Sequence, residues 1–397
     1  MQFHHPHALG LPVLRALSAE MPDVQEDLLA AGAEYVIVPA RKNHPELTAG
    51  LLCRRALFEG VLRSAAAAEP GVRLRSGHAG GVLVDAGRVT GLRVDDGTVQ
   101  ADLIVNASGR SSRFADAYRA LAVGGPCPIG YVSRHYELHP GAEPGPSHLP
   151  VNVVQTRSGY LAAVFRQDHG TFSTVLATPR SDRRFTTLRH AETYELASRA
   201  VPGLAEWVDP QFSRPLGPVQ VGGGLDNTYR GQLDDDGRVA APGLVHLGDA
   251  VCTTNPTAGR GISLALEQSR QLMRLLGEYP HDVAAATHAF DAWCTQQVRP
   301  WFDDQVYADT DLRRRWSGGD VDLTRPLPSD LIREATVVDR SMMRVVLPYM
   351  LMQVPPASLA EIEPRAREIY ADGWRLKRPG PDADELAALI APVAANH

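Results

Sequence analysis

The order of sequence patterns predicts an α/β (α+β) protein with more than one folding unit. Strand patterns with one helix come first, mostly antiparallel strand patterns follow, and then one apolar strand returns before helices continue to the end. The chain has 397 residues, whereas single cores stop growing near about 250–300 residues. We therefore expect a Rossmann-like domain from 1–125 and 240–280, an inserted sheet domain at 126–239, and a helical region at 281–397.

The N-terminal part combines helices with a β meander. Residues 11–31 have apolar positions at helical spacing, and two prolines divide them into two short helices. Residues 35–39 predict a strand, and residues 51–68 predict a helix that a Pro-Gly pair ends. Alternating residues between 72 and 105, separated by glycine turns, predict the meander.

The middle of the chain predicts a second sheet, and the last third predicts helices. Residues 127–220 contain several strand-like stretches and one helix near 189–200. Residues 244–247 form an apolar strand, and helical patterns dominate from Gly259 onward. We expect the 127–220 sheet and the apolar stretch at 340–355 to form walls of a mainly apolar pocket.

Composition excludes several classes of function. The net charge is -6 and basic runs are short, so nucleic acid is not an expected partner. The four cysteines lie far apart, which favours buried thiols in a reducing cytosol over a disulfide framework or a zinc cage. The N-terminus has no signal-peptide pattern and no apolar run is long enough for a span, which predicts a cytoplasmic protein without stable membrane insertion.

The strongest motif runs from Leu244 to Glu267. An apolar strand leads into Gly248-Asp249, a loop passes Asn255-Pro256, and two glycines open a long helix. Such a site can hydrogen-bond a hydroxyl through the aspartate and place free N–H groups of the helix start near negative charge. The alternative is an ordinary strand–loop–helix in which the aspartate is only a turn residue.

This string resembles the second FAD fingerprint of flavin monooxygenases related to p-hydroxybenzoate hydroxylase, squalene epoxidase and the polyether epoxidases. The resemblance implies that Asp249 binds the ribitol of FAD. It also implies that Pro256, Gly259 and Gly261 lie against the isoalloxazine ring, with Ile262 beside them in the cofactor site. FAD is therefore the expected cofactor.

A second segment, residues 102–113, resembles the strand and turn that lie beneath the cofactor in this family. Gly109 is then the position of close approach to FAD. Aromatic hydroxylases usually have aspartate where this chain has Ser108, which shifts the resemblance toward epoxidase-like and less characterised oxidoreductases.

Two arginines are further candidates. Arg55, followed by Glu59 one turn later, resembles a family arginine that contacts FAD, although a surface ion pair is the alternative and Arg54 leaves the register open by one residue. Arg134 lies in a segment that resembles a family strand facing the active site, which makes it a candidate substrate residue. A surface ion pair is the alternative there too.

The dinucleotide-binding GxGxxG unit is missing from the sequence. Residues 3–9 resemble the family stretch that follows this unit, so we expect the chain to begin in mid-domain. As written it should be colourless or poorly folded, whereas an upstream-extended chain should be yellow with FAD. A metal site or a remnant tag is the alternative for His4, His5 and His7, but no carboxylate or cysteine accompanies them and no metal is predicted.

The resemblance implies a flavin-dependent monooxygenase. FAD would be reduced by NAD(P)H or a reductase, O2 would add to give a C4a-hydroperoxide, and a small lipophilic substrate would be hydroxylated or epoxidised. No side chain need act as a nucleophile, so catalytic residues are not assigned. A geranylgeranyl-type reductase and a non-catalytic truncated homologue are the alternatives. A flavin-dependent halogenase would be expected to carry a WxWxIP-like motif and a catalytic lysine, and neither is evident.

Overall fold

A computed structural model describes residues 5–39, 45–111, 113–143, 145 and 152–394. These residues form a mixed helix and sheet fold, as the sequence predicts. The strands are β1 (Leu9–Gly10), β2 (Glu34–Val38), β3 (Leu47–Leu52), β4 (Ala79–Asp85), β5 (Arg88–Val94), β6 (Gly97–Gln100), β7 (Ile104–Asn106), β8 (Val123–Pro126), β9 (Ile129–Leu138), β10 (Asn152–Arg157), β11 (Tyr160–Arg166), β12 (Thr171–Pro179), β13 (Ser213–Pro215), β14 (Gln220–Gly222), β15 (Asp226–Tyr229), β16 (Leu244–His246) and β17 (Cys252–Thr253). The helices are α1 (Leu11–Glu20), α2 (Pro22–Ala30), α3 (Arg55–Ala68), α4 (Ala191–Ala200), α5 (Gly261–Glu278), α6 (Val283–Gln297), α7 (Arg299–Trp316), α8 (Ser329–Ala335), α9 (Met343–Met350), α10 (Glu363–Ala371) and α11 (Ala383–Ala394).

The two N-terminal helices have proline in their first turn, where a missing N–H removes no helix hydrogen bond. Leu17 of α1 and Leu28 of α2 are fully buried. They share a core with Phe58 of α3 and with Ile262 at the start of α5. This packing holds the start of α5 against the N-terminal layer.

Helix α3 begins four residues later than the sequence predicts. Leu51 and Leu52 belong instead to strand β3, where both are buried. Leu51 lies opposite Leu9 of β1 and opposite Tyr35 of β2. A short apolar run does not by itself distinguish a buried strand from a helix, and here the pairing with two strands decides.

Strands β7 and β16 form a parallel pair although they are far apart in sequence. Ile104 lies opposite Leu244 and Asn106 lies opposite His246. The N–H of Leu247 then donates to the carbonyl oxygen of Asn106 at 2.9 Å. Because parallel strands end at the same edge, the turns that follow them lie together. The prediction that Gly109 and Asp249 open onto the same cleft is confirmed.

The largest sheet is antiparallel and has the order β10-β11-β12-β9, with β13 and β14 both pairing with the remaining edge of β9. One face packs against α4 and α11, where Tyr194 and Leu386 are fully buried. The opposite face borders the cavity described below. The prediction of a mostly antiparallel sheet between 127 and 220 is confirmed.

The C-terminal helices do not form one separate unit. Helices α5 to α10 share a core with Val245 of β16, and this core also buries Val345, Val346 and Tyr349. Helix α11 lies apart from them, because its apolar face packs on α4 of the large sheet. Helix α11 therefore packs in a different core from α5 to α10, and the helical region at 281–397 stays a prediction. Within the described ranges, no helix combines the length and apolar character needed to cross a membrane.

The four cysteines are buried with free thiols, as the sequence predicts. Burial raises the pKa of Cys53, Cys127 and Cys252 to about 12 and raises that of Cys294 further. Since the thiolate is the reactive form, these side chains act as small apolar residues.

Candidate functional site

A cavity of about 600 Å³ lies between the turns after β7 and β16, the start of α5 and the open face of the large sheet. Its volume is in the range of cofactor and ligand sites, roughly 300–1,000 Å³. Every residue that the sequence assigns to cofactor binding lines it, namely Arg55, Gly109, Asp249, Pro256, Gly259, Gly261 and Ile262. The fold thus brings three distant segments of the chain to one cavity.

The turn after β16 positions Asp249. Gly248 has a φ of +63°, which glycine adopts without strain. Its N–H donates to Oε1 of the buried Gln268 of α5 at 3.0 Å. Among the described residues, no donor bonds the Asp249 carboxylate. Burial raises the pKa of this carboxyl, and the positive charges of Arg55 and Arg110 act in the opposite direction.

The loop from Asn255 to Gly261 leads into α5. Oδ1 of Asn255 accepts from the N–H of Thr257 at 3.1 Å. Gly259 has a φ of +67°, and a Cβ at this position would lie 2.7 Å from Cβ of Ala8. The N–H groups in the first turn of α5 have no acceptor within the helix, and with the positive end of the helix dipole they favour negative charge in the cavity.

A buried carboxylate holds this loop from the side away from the cavity. Asp309 of α7 is 3% exposed, and its Oδ1 accepts from Nδ2 of Asn255 at 2.7 Å and from Nε2 of Gln305 at 2.9 Å. Its Oδ2 accepts from Nδ2 of Asn227 at 2.6 Å. Oδ1 of Asn227 in turn accepts from the N–H of Asn255 at 2.6 Å. The loop conformation therefore depends on the C-terminal helices.

Arg260 connects the cavity to the helical core. It lines the cavity, and its guanidinium carbon lies 4.6 Å from the ring centroid of Trp301 and 5.0 Å from that of Tyr349. It also donates to Oδ2 of Asp304 at 2.9 Å and to the hydroxyl of Tyr349. Residues 340–355 were expected to form a wall of the pocket, but they lie behind Arg260 because their apolar side chains are packed in the helical core.

The turn after β7 supplies the opposite side of the cavity. Oδ1 of Asn106 accepts from the N–H of Ser108 at 3.2 Å and from its hydroxyl at 2.5 Å. Gly109 has a φ of +82°, while a Cβ there would meet no atom within 4 Å. Glycine is therefore required by the backbone angle, and the space in front of it belongs to the cavity.

The two adjacent arginines of α3 have different partners. Arg55 lines the cavity, where it donates to Glu59 and, at 2.9 Å, to Nε2 of His7. Arg54 forms a bidentate pair with the fully buried Asp168, which joins the start of α3 to the large sheet. Of the two registers that the sequence leaves open, only Arg55 places its side chain at the cavity.

The large sheet forms an apolar wall of the cavity. The residues that face it from β9, β11 and β12 are Ile129, Tyr131, Leu161, Ala163, Phe165, Val175 and Ala177. This is the wall that the sequence predicts from the 127–220 sheet. A ligand against it would exchange water for mainly aliphatic contacts.

Arg134 does not face the cavity. Successive side chains of a strand point to opposite faces, and Tyr131 occupies the cavity face of β9. Nη1 of Arg134 donates to Oε1 of Glu195 on α4 at 2.7 Å, and its Nε donates to the carbonyl oxygen of Gly217 at 2.9 Å. The alternation of β9 directs Arg134 toward α4 and away from this cavity, and its role as a substrate residue stays a prediction.

His5 and His7 line the cavity and were not assigned a site role from the sequence. Nδ1 of His5 is 2.8 Å from the hydroxyl of Ser133. Since Arg55 donates to Nε2 of His7, the proton of this ring is on Nδ1, which donates to the carbonyl oxygen of His5 at 2.8 Å. The His-x-His spacing is the sequence feature that could have identified them, because residues two apart in an extended segment lie on the same side.

Among the described residues, no group of three or more His, Cys, Asp and Glu side chains is arranged to hold a metal ion. His4, for which a metal site was one alternative, lies outside the described residues.

Acidification is expected to destabilise the protein. Burial and, secondarily, Arg55 lower the pKa of His7 from 6.5 to about 4, and burial with Arg119 and Arg230 lowers that of His246 to about 3. The unfolded chain binds these protons first, so the free energy of unfolding should fall as the pH drops below about 6.5 and stay level above it. Denaturant unfolding across this range measures the change.

Two variants separate this effect from general acid denaturation. His7→Gln should reduce the slope of stability against pH, because the amide oxygen can still accept from Arg55 without titrating. His281→Gln, at an exposed position, should leave the slope unchanged. Equal slopes for the wild type and His7→Gln would show that His7 is not the titrating group.

The fold of this chain is similar to the folds of known flavin enzymes. Residues 23–122 match a family model described as Tryptophan halogenase. No curated protein matches the chain. The family match covers a minor part of the sequence and does not include the loop around Asp249.

Solved structures extend the similarity to most of the chain. The flavin-dependent brominase Bmp2 is 16% identical, with a TM-score of 0.59, covering 94% of this chain and 90% of that chain. PqsL, a probable FAD-dependent monooxygenase from Pseudomonas aeruginosa, is 18% identical, with a TM-score of 0.57, covering 79% and 89%. The myxobacterial chondrochloren halogenase CndH is 14% identical, with a TM-score of 0.56, covering 92% and 88%. At this identity the likeness is one of fold, and it agrees with the prediction of an FAD-dependent oxidoreductase.

Proposed function

We propose that this chain is a flavin-dependent monooxygenase that transfers oxygen to a small lipophilic molecule. The observation that carries the proposal is the convergence of Arg55, Gly109, Asp249 and the Pro256–Ile262 segment on one cavity. These residues were chosen from the sequence by resemblance to flavin monooxygenases, and they come from separate parts of the chain. The narrower likeness to p-hydroxybenzoate hydroxylase and the epoxidases, and the division into cofactor and substrate domains, are part of this proposal.

The cavity residues fit a flavin. The Asp249 carboxylate is half-buried and has no donor among the described residues, which suits a ribityl hydroxyl that donates to it. Gly109 presents open backbone to the cavity, and the first turn of α5 offers N–H groups where a reduced ring carries negative charge. When bound, FAD supplies the redox chemistry by which electrons from NAD(P)H and an oxygen atom from O2 are used.

The protein's own residues bind, orient and exclude water. Arg55 is held in place by Glu59 and His7, so its charge stays at the cavity. The apolar face of β9, β11 and β12 removes water from a substrate and positions it opposite the cofactor residues. No side chain is required to attack the substrate.

No lysine is among the described residues that line the cavity, which favours oxygen transfer over halogenation. A flavin-dependent halogenase is expected to use a catalytic lysine, and the lysines of this chain are Lys42 and Lys377. Lys377 is exposed and does not line the cavity, and Lys42 lies outside the described residues. A geranylgeranyl-type reductase and a non-catalytic flavoprotein are the remaining alternatives.

The test is product analysis with labelled oxygen. The flavin-loaded protein is given NADPH, ¹⁸O2, bromide and a panel of aromatic and isoprenoid alcohols, and products are examined by mass spectrometry. We expect a product that contains one ¹⁸O atom. Incorporation of bromine, or reduction of an isoprenoid double bond without oxygen uptake, would contradict the proposal and identify the alternative.

A further inference from the structure

A turn of three glycines forms part of the rim of the cavity. Strand β14 ends at Gly222, and the chain continues through Gly223 and Gly224 to Leu225, which lines the cavity. Gly224 has a φ of +62°, which glycine adopts without strain. A Cβ at Gly222 would lie 2.2 Å from Cζ of Tyr131, so a side chain there would displace this ring. We call residues 222–224 the glycine turn.

Tyr131 brings its hydroxyl to the glycine turn. It lies opposite Gly222 where β9 pairs with β14, and the ring atom nearest to Gly222 is Cζ, which carries the hydroxyl. Among the described residues, no group hydrogen-bonds this hydroxyl. Burial raises the pKa of Tyr131, and the positive charge of Arg110 acts in the opposite direction. The hydroxyl is therefore protonated at neutral pH and can donate to a ligand.

Arg110 reaches the glycine turn from the turn after β7. It follows Gly109, which lines the cavity, and its Nη1 donates to the carbonyl oxygen of Gly224 at 3.1 Å. Its positive charge acts on Tyr131 and on Asp249, and both of these residues line the cavity. The guanidinium is not part of the lining itself, but these contacts hold it at the rim.

The charge of Arg110 is not neutralised by a carboxylate, unlike the charges of the two arginines inside the cavity. Arg55 pairs with Glu59, and Arg260 pairs with Asp304. Among the described residues, no carboxylate forms an ion pair with Arg110. An unpaired guanidinium at the mouth of an apolar cavity attracts negative charge, and its planar N–H groups can bind both oxygens of a carboxylate.

We propose that Arg110 and the hydroxyl of Tyr131 bind a carboxylate of the substrate at the rim of the cavity. The substrate is then an apolar acid whose body lies against the sheet wall. This inference rests on the proposed function, in that the Asp249 side of the cavity is taken as the flavin side. The described residues of the sheet wall are aliphatic or aromatic, so a carboxylate turned toward them would be desolvated without a cation. The rim and the wall together fix the direction in which the molecule lies.

Binding of 2-naphthoate and 2-naphthamide tests the proposal, because the two probes share the ring body and differ in charge. Calorimetric titrations of the flavin-loaded protein at neutral pH should give a dissociation constant about tenfold lower for 2-naphthoate. The preference should shrink as salt is added, since Arg110 is exposed. Arg110→Gln should abolish the preference and keep the affinity for 2-naphthamide, which reports an intact cavity.

Three further variants examine the parts of the site. Arg110→Lys keeps the charge without the planar fork and should retain part of the preference. Tyr131→Phe should weaken the binding of 2-naphthoate about threefold. Arg113→Gln is the matched control, because it removes the same charge from the same segment, where the Arg113 side chain is 87% exposed and does not line the cavity. It should retain the full preference.

Three results would overturn the carboxylate site. They are a preference that survives in Arg110→Gln, a preference that is lost equally in Arg113→Gln, and a wild type without any preference. Unchanged affinity for 2-naphthoate in Tyr131→Phe would overturn the part assigned to its hydroxyl.

Flavin titrations of the same proteins separate this inference from the proposed function. Normal flavin binding by a wild type that shows no preference for 2-naphthoate would overturn the carboxylate site alone. A preference for 2-naphthoate in a protein that binds no flavin would overturn the proposed function and leave the carboxylate site in place. If Arg110→Gln weakened flavin binding and left the preference unchanged, Arg110 would serve the cofactor and the inference would be wrong.

Discussion

Asp309→Leu should lower the free energy of unfolding by about 3 kcal/mol or more and weaken FAD binding roughly tenfold. The substitution leaves the side-chain amides of Asn227, Asn255 and Gln305 as buried donors without an acceptor. Each such group costs about 1–3 kcal/mol. The loop that contains Asn255 would then relax, although no atom of Asp309 lines the cavity. Guanidinium unfolding and quenching of flavin fluorescence measure the two effects.

A series of variants distinguishes loss of the hydrogen bonds that Asp309 makes to the loop from general destabilisation of the protein. Asp309→Asn retains an oxygen for two of the three amides and should have an intermediate effect on both measurements. Asp311→Asn is the control, since this carboxylate is on the same helix but pairs with Arg314 and Arg315. The contrary result is that Asp311→Asn and Asp309→Leu lower the free energy of unfolding by the same amount and also weaken flavin binding by the same factor. That result would show that the hydrogen bonds of Asp309 do not specifically fix the loop.

Asp249→Ala should weaken flavin binding by about 1.5–3 kcal/mol, which is about 10–150-fold in the dissociation constant. The reason is loss of a charged acceptor for a ribityl hydroxyl. In the flavin-free protein the same change should leave stability unchanged or raise it, because burial already raises the pKa of this carboxyl and no donor among the described residues compensates its charge. FAD, FMN and riboflavin should all be affected, since they share the ribityl chain.

Asp249→Asn should lose less affinity than Asp249→Ala, because its amide oxygen still accepts a hydrogen bond. Asp226→Ala removes an exposed carboxylate outside the cavity and should leave the flavin affinity at the wild-type value. Unchanged affinity in Asp249→Ala would show that Asp249 is only a turn residue, which is the alternative that the sequence itself leaves open.

The residues that we propose for cofactor binding could be predicted to lie together because they belong to continuous motifs. Gly109, Asp249 and the Pro256–Ile262 segment each follow a strand or precede a helix within the same short stretch of chain. Their positions depend on local backbone angles, such as the left-handed φ of Gly109 and Gly259. A segment that resembles a known motif therefore predicts these backbone angles directly.

The start of α3, the direction of Arg134 and the place of α11 could not be predicted in the same way. A one-residue change of register reverses the face of a strand residue, and the pattern around Arg134 does not specify which face meets α4. Likewise, the apolar face of α11 fits several cores equally well until the chain is folded against α4.

The sequence by itself determined the mixed helix and sheet class, the antiparallel sheet, the buried cysteines and the motif residues that line the cavity, because these follow from periodicity and local turns. Only the tertiary structure decided that Asp309 holds the Asn255 loop and that His5 meets Ser133 of the large sheet. Each of these contacts joins residues from distant parts of the chain. Hydrogen bonds of this kind depend on how elements pack, and no local pattern encodes which distant side chain will be the partner.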